Sequence, residues 1–122
     1  MRVVIVEDEP TVAGRIKRLT EKILAAELTA LIHFDELDEA LDYLSSHPID
    51  LLLLDLNLHG RDGFEILANT VSGSYHTIII SAYAEKALKA FEYGVLDFVA
   101  KPFSTARLRK AFVRYNEQNA GS

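Results

Sequence analysis

The sequence predicts an α/β fold in which a doubly wound, five-stranded parallel sheet carries helices on both faces. Short apolar runs alternate five times with helical patterns, and such alternation produces parallel strands with right-handed crossovers. The run at 51–54 is apolar at every residue, which is typical of a central strand covered on both sides. The length of 122 residues suits one domain, expected to span 1–122.

The first half of the chain contains three predicted strands and two predicted helices. The strands are expected at residues 3–6, 28–33 and 51–54. The first helix starts near Pro10, because the missing N–H of proline costs nothing in a first helical turn. Its apolar positions recur at helical spacing as Val12, Ile16, Leu19 and Ile23. The second helix carries Leu37, Ala40, Leu41 and Leu44 and stops at the segment 45–48.

The second half is expected to add three helices and two strands. The third helix is outlined by Phe64, Leu67, Ala68 and Val71 and ends at 72–74. Strands are predicted at 77–80 and 95–99, with a short helix at 84–93 between them and Gly94 as its C-cap. The last helix begins after Ser104, its N-cap, and buries Leu108, Ala111, Phe112 and Tyr115. Residues 116–122 are expected to be a fraying tail.

The charge and composition argue against several classes of protein and of binding site. The net charge of 13 − 18 = −5 argues against nucleic-acid binding by this domain, because phosphate contacts need clustered Lys and Arg. The basic residues Arg107, Arg109, Lys110 and Arg114 are read as a solvated helix face, with a partner-binding helix as the alternative. The absence of cysteine excludes disulfides and thiolate metal sites. No stretch resembles a membrane span or a signal peptide, so we expect a cytoplasmic protein.

Chemically active residues follow four of the five predicted strands. They are Glu7, Asp8 and Glu9 after the first, Asp55 after the third, Ser81 after the fourth and Lys101 after the fifth. Sites in open parallel sheets form beyond the carboxyl ends of the strands, so these side chains should converge. Each residue alone has an ordinary structural explanation, such as a helix N-terminus or a solvated loop. Their joint occurrence favours a site.

The expected set matches the needs of phosphoryl transfer to a carboxylate. Mg²⁺ prefers oxygen ligands and leaves positions free for phosphate oxygens. Asp8 and Asp55 are the expected direct ligands, and Glu7 would act directly or through water. Asp55 could then attack phosphorus to form an acyl phosphate. Lys101 and the Ser81 hydroxyl would each take one oxygen of the transferred group.

Five sequence blocks resemble the receiver domain of bacterial two-component response regulators. They are Val4-Ile5-Val6-Glu7-Asp8-Glu9-Pro10, Leu53-Leu54-Asp55-Leu56-Asn57-Leu58, Asp62-Gly63-Phe64-Glu65, Ile80-Ser81-Ala82 and Phe98-Val99-Ala100-Lys101-Pro102-Phe103. The segment 90–98 further resembles receivers of the LytR/AlgR type, which a DNA-binding domain often follows. The resemblance covers nearly the whole chain.

This resemblance implies a flavodoxin-like (βα)5 fold with strand order 2-1-3-4-5. It implies that Asp55 accepts a phosphoryl group from a histidine kinase or phosphotransfer protein, and that the backbone carbonyl of Asn57 joins Asp8 and Asp55 around Mg²⁺. Ser81 matches the switch hydroxyl, Lys101 the phosphate-contacting lysine, and Phe98 the aromatic that moves between exposed and buried positions. Such a domain is a signalling switch whose only chemistry is self-catalysed phosphotransfer and dephosphorylation.

The output of the switch is not specified by the sequence. The face formed by the fourth helix, fifth strand and last helix is expected to change its partner preference on phosphorylation. Homodimer formation and a C-terminal DNA-binding domain that regulates transcription are both compatible with this. The cognate kinase and its signal stay unknown, as does whether the chain stands alone or belongs to a longer regulator.

Two positions depart from the family pattern. His59 stands where the family usually carries proline, so the loop after Asp55 could be looser, or His59 could approach the phosphate. Tyr83, two residues after Ser81, could shield the acyl phosphate from water and slow its hydrolysis. Histidines 33, 47 and 76 are read as surface or packing residues.

Two other functions share parts of this residue pattern. A degenerate receiver would work only as an interaction module, but Glu7, Asp8, Asp55, Ser81 and Lys101 are all present. A Mg²⁺-dependent phosphatase of the haloacid-dehalogenase type would use an aspartyl phosphate too. Such enzymes need a second Asp two residues after the nucleophile, where this chain has Asn57.

Overall fold

Five parallel strands form the central sheet of the computed structural model, which describes residues 1–69 and 74–120. They are β1 (Arg2–Val6), β2 (Ala30–Phe34), β3 (Leu51–Leu54), β4 (His76–Ser81) and β5 (Asp97–Ala100). Their order across the sheet is 2-1-3-4-5, and each neighbouring pair is parallel. The predicted fold class and strand order are therefore confirmed.

Helices connect the strands and cover both faces of the sheet. They are α1 (Pro10–Leu24), α2 (Leu37–Ser46), α3 (Phe64–Asn69), α4 (Ala87–Glu92) and α5 (Thr105–Ala120). Short 3₁₀ turns lie at Ala25–Glu27 and Ala84–Lys86. A small antiparallel hairpin, Asn57–Leu58 with Arg61–Asp62, follows β3. Among the described residues, no helix has both the length and the apolar character needed to cross a membrane.

Alternation along the strands divides the core into two layers. Successive side chains of a strand point to opposite faces, so Val3 and Ile5 of β1 pack with α1 and α5. Val4 and Val6 of the same strand pack with α2, α3 and α4. All four residues of β3 are buried, as predicted for a central strand. This double cover holds the carboxyl ends of β1 and β3 rigidly beside each other.

Three predicted boundaries were wrong. The second strand begins at Ala30 and not at residue 28, because the chain is still leaving the 3₁₀ turn, where the Leu28 N–H donates to the Ala25 carbonyl at 3.1 Å. The fifth strand begins at Asp97 and not at residue 95, since Val95 and Leu96 lead out of the turn at Gly94, which has φ +86°.

The third error concerns the C-terminus. The segment 116–120 continues α5 and is not a tail. Its Glu117 and Gln118 are exposed but favour helix, so apolar periodicity missed them. Residues 121–122 lie outside the described part of the chain, as do residues 70–73 at the predicted end of the third helix.

The basic residues of α5 are only partly a solvated face. Arg109 and Lys110 are exposed, as predicted. Arg107 instead donates two 2.8 Å hydrogen bonds to the carboxylate of Asp97, and Arg114 donates a third at 3.0 Å. Burial opposes the charged form of Asp97, but these arginines and the Phe98 N–H outweigh it and lower the pKa of Asp97. The network fastens α5 to β5.

Candidate functional site

The acidic residues after β1 and β3 are held by backbone hydrogen bonds that continue the sheet. The Glu7 N–H donates to the Phe34 carbonyl at 3.0 Å, and the Asp55 N–H donates to the Val6 carbonyl at 2.9 Å. The side chains of Glu7 and Asp55 are 1% and 5% exposed. This is the point where strand order reverses, the place at which open parallel sheets bind ligands.

Lys101 reaches the same point from the end of β5. Its N–H donates to the Ser81 carbonyl at 2.9 Å, which ties it to the end of β4. Its Nζ lies 2.7 Å from Oε1 of Glu7, 3.2 Å from Oδ2 of Asp55 and 3.8 Å from Oε1 of Glu9. The lysine side chain is 12% exposed. One ammonium group therefore neutralises part of a concentrated negative charge.

The electrostatics of the pocket are unusual at Glu7. Burial raises the pKa of Glu7 to about 7, opposed by the hydrogen bond from Lys101 and reinforced by the charge of Asp55. Burial also disfavours the ammonium form of Lys101, but the neighbouring carboxylates outweigh it and raise the pKa of Lys101. Crowded carboxylates of this kind bind cations, because a cation removes their mutual repulsion.

The pocket has the donors of a metal site. Glu7, Asp8 and Asp55 each offer one carboxylate oxygen, and these oxygens all lie within 4.8 Å of one another. An all-oxygen donor set suits a hard divalent cation such as Mg²⁺. The acidic triad could thus hold a metal ion, and the residues fit the cation that the sequence predicted.

The loop after Asp55 is built around a close approach of the backbone. The Asn57 N–H donates to Oδ1 of Asp55 at 3.2 Å. The Gly63 N–H donates to the Leu56 carbonyl at 2.9 Å, and a Cβ at Gly63 would lie 2.7 Å from the carbonyl oxygen of Asp55. Only glycine fits there without displacing the backbone that carries Asp55.

His59 shapes the tip of this loop. His59 and Gly60 have φ of +50° and +79° and join the two paired strands of the small hairpin, an arrangement that identifies a type I′ turn. The His59 N–H donates to Oδ2 of Asp8 at 2.8 Å. This hydrogen bond ties the turn to one carboxylate of the pocket, and the expectation of a looser loop stays a prediction.

The two residues predicted to form the switch are both buried. The Ser81 hydroxyl is inaccessible and accepts a 3.2 Å hydrogen bond from the Tyr83 N–H. Phe98 is 9% exposed and packs in the core layer of α2, α3 and α4. Ile79, two residues before Ser81, pairs with Phe98 across β4 and β5. Ser81 and Phe98 therefore lie on adjacent strands, two residues apart in register.

Sequence reasoning missed several contacts of the site. The Tyr83 hydroxyl accepts a 3.1 Å hydrogen bond from the side-chain amide of Asn57, so two loops meet beside Asp55. The Glu9 carboxylate joins the ion pairs of Lys101. The hydrogen bond from the His59 N–H to Asp8 depends on the positive φ of His59. The sequence feature that points to a turn of this kind is the adjacent Gly60. Side-chain pairing between loops leaves no periodic signal.

Comparison with known proteins identifies the family. Residues 3–113 match the family described as response regulator receiver domain. The chain is 31% identical to the sensory transduction protein LytT of Bacillus subtilis over 125 aligned positions, which cover 98% of this chain and 49% of LytT. It is 33% identical to the transcriptional regulatory protein MalR of the same organism, over 97% of this chain and 51% of MalR.

A solved structure agrees on the fold. The response regulatory domain of the protein mrkE from Klebsiella pneumoniae superposes with a TM-score of 0.90 at 24% identity, and all of both chains is covered. The chain spans about half the length of the curated relatives it matches. With the sheet order, the acidic triad and the match over residues 3–113 together, the chain belongs to the response regulator receiver domains.

Proposed function

We propose that residues 1–122 act as one phosphoacceptor receiver domain in which Asp55 takes a phosphoryl group from a histidine kinase or phosphotransfer protein. One observation carries this proposal. The Asp55 carboxylate is buried, with Oδ2 paired to Lys101 and Oδ1 accepting the Asn57 N–H, at the base of a three-carboxylate pocket. The carboxylate is thereby oriented before any donor arrives.

The transfer proceeds by attack of an Asp55 oxygen on phosphorus. The bond from phosphorus to the donor imidazole nitrogen breaks as the new oxygen–phosphorus bond forms. The electron pair leaves with the nitrogen, which is then protonated by solvent. Lys101, now held by Glu7 and Asp55, turns its ammonium to an oxygen of the incoming group, and Ser81 offers its hydroxyl to another.

Mg²⁺ would be held by Asp8, Asp55 and the Asn57 backbone carbonyl, with Glu7 bound directly or through water, and would supply charge neutralisation for the transferred group. The chain's own contribution is to bring these oxygens together. Glu7 and Lys101 tune the pocket, because their ion pair removes one negative charge while no donor is bound. Burial of Asp55 then limits the access of water to the acyl phosphate.

The output follows from the position of Ser81 and Phe98. Movement of Ser81 towards the phosphate would change the space beside Phe98 and bias the face formed by α4, β5 and α5. A coupling of about 1–3 kcal/mol is typical for such switches, so the phosphate biases two populated states. Curated relatives of about twice the length include a transcriptional regulatory protein. A following DNA-binding domain and regulation of transcription are accordingly part of the proposal.

Phosphorylation with a small phosphoramidate donor and Mg²⁺ tests the function. Intact-mass spectrometry should show one added phosphoryl group that hydroxylamine removes, since hydroxylamine cleaves acyl phosphates. Asp55→Asn should abolish the addition, and Ser46→Ala on the far end of α2 should leave it unchanged. Failure of the wild type to take phosphate or beryllofluoride would favour the degenerate receiver. Multiple turnover of small phosphate esters would favour the phosphatase.

A further inference from the structure

His33 contacts the backbone of the acidic pocket from the neighbouring strand. It lies on β2 at the edge of the sheet, and its Nε2 is 2.8 Å from the carbonyl oxygen of Glu7. A carbonyl oxygen can only accept a hydrogen bond, so Nε2 is the donor. A histidine predicted to be a surface or packing residue therefore has a specific partner beside the pocket.

The Glu7 carbonyl takes this donor because the ladder between β1 and β2 ends beside it. The Glu7 N–H donates to the Phe34 carbonyl at 3.0 Å, and a continued parallel ladder would return a bond to the Glu7 carbonyl from residue 36. However, β2 ends at Phe34, and residues 35–36 form a bend that leads into α2. Carbonyl groups shielded from water normally have a partner, and the imidazole of His33 occupies the place of the next ladder bond.

Holding this oxygen fixes the direction of the chain at Asp8. The Glu7 carbonyl belongs to the planar peptide unit that joins Glu7 to Asp8, so its orientation sets where the Asp8 side chain starts. The N–H of Glu9 donates to Oε2 of Glu7 at 3.2 Å. The turn of residues 7–9 is therefore held by His33 and by its own first carboxylate. Two of the three carboxylates that converge in the pocket belong to this turn.

We propose that His33 is a positioning residue for the Mg²⁺ that phosphotransfer requires. Its Nε2–H orients the peptide between Glu7 and Asp8 and so keeps their carboxylates together with that of Asp55. The imidazole acts through this peptide and is not itself a ligand. The proposal rests on the proposed function for the identity of the ion. Loss of a partner that orients a metal ligand typically costs about 10–100-fold in metal affinity, which sets the size of effect to expect.

Calorimetric titration of the whole chain with Mg²⁺ compares two replacements of His33. His33→Phe keeps a planar ring that suits a strand but has no donor, and Mg²⁺ should bind about tenfold more weakly. His33→Gln carries an amide N–H at nearly the same reach as Nε2, so it should recover most of that loss. His47→Phe is the matched control, because the His47 ring lies 3.0 Å from a backbone carbonyl away from the pocket, that of Tyr43. Its Mg²⁺ affinity should equal that of the wild type.

Two further measurements separate positioning from general stabilisation. In metal-free protein, the carbonyl ¹³C resonance of Glu7 should move in His33→Phe and return towards its wild-type position in His33→Gln. Free energies of unfolding in urea should not follow this order, because His33 is exposed and phenylalanine is favoured in strands. Unchanged Mg²⁺ affinity in His33→Phe, equal losses in both variants, or losses that only track the free energy of unfolding would overturn the proposal.

The same samples distinguish this proposal from the proposed function. Wild-type protein whose Mg²⁺ affinity depends on His33 but which takes no phosphoryl group would contradict the proposed function alone. Wild-type protein that is phosphorylated, with a Mg²⁺ affinity that His33→Phe leaves unchanged, would contradict the role of His33 alone.

Discussion

Replacing Glu7 with glutamine removes a buried carboxyl group whose charge the fold disfavours. The pKa of Glu7 is raised from 4.5 to about 7, chiefly by burial. The folded state therefore binds the proton more tightly than the unfolded chain does. Protonated Glu7 contributes its whole stabilising free energy below the unfolded pKa, and this stabilisation is lost as pH rises from about 4.5 to about 7. The wild type should become less stable over that window.

The size of the effect follows from the shift. One pKa unit corresponds to about 1.4 kcal/mol, so between pH 5 and pH 8 this group should cost the wild type about 2–3 kcal/mol. The Glu7→Gln variant has no ionisable group at this position. It therefore lacks the ion pair that ionised Glu7 forms with Lys101, and it also lacks the pH-dependent cost of ionising a buried carboxyl group. Its stability should therefore fall less between these pH values.

Urea denaturation without divalent cations at pH 5, 6, 7 and 8 measures this difference. From pH 5 to pH 8, the unfolding free energy of the wild type should fall by about 2–3 kcal/mol more than that of Glu7→Gln. Glu65→Gln, an exposed carboxylate on α3, is the matched control and should follow the wild type. Saturating Mg²⁺ should flatten the wild-type profile. Parallel profiles for wild type and Glu7→Gln would refute the assigned titration of Glu7.

Three other predictions concern residues around the pocket. Tyr83→Ala should shorten the half-life of the acyl phosphate measured by loss of label, with Tyr83→Phe separating ring bulk from the hydroxyl; an unchanged half-life in Tyr83→Ala would end the shielding hypothesis. Asp97→Asn should lower the free energy of unfolding by about 1–3 kcal/mol at pH 7, because it weakens the hydrogen bonds of Arg107. Since the pKa of Asp97 is lowered, wild-type stabilisation is present above its unfolded pKa and disappears as pH falls through the lowered value, so the two proteins should converge in acid. Gly63→Ala should destabilise by about 1–3 kcal/mol in the same denaturation assay, because its Cβ would meet backbone; Gly14→Ala, which meets only the end of the Arg18 side chain, should not.

The positions of the site residues could be predicted because they depend on topology alone. Once the five strands were assigned, Glu7, Asp8, Asp55 and Lys101 had to lie at one edge of the sheet, and the structure brings them together. The apolar residues 51–54 made β3 the easiest strand to place. Strand and helix ends were less predictable, because turns such as the one at Gly94 override the apolar pattern.

Side-chain contacts between loops could not be predicted from the sequence. The Asn57 to Tyr83 hydrogen bond depends on two loops meeting at a distance that no spacing encodes. The presence of His59 where the family usually carries proline was visible in the sequence. The two-residue turn that His59 forms with Gly60, with positive φ at both residues, was not predicted.

The central claim is that Asp55 is the residue that carries the phosphoryl group. Phosphorylated protein can be reduced with borohydride, which converts a phosphorylated aspartate into homoserine, and the peptides that contain positions 8, 55 and 62 can then be sequenced by mass spectrometry. The account predicts homoserine at position 55, formed only when Mg²⁺ and the phosphodonor are both present. Homoserine at position 8 or 62, or an unmodified position 55 in protein that had gained the mass of a phosphoryl group, would contradict it.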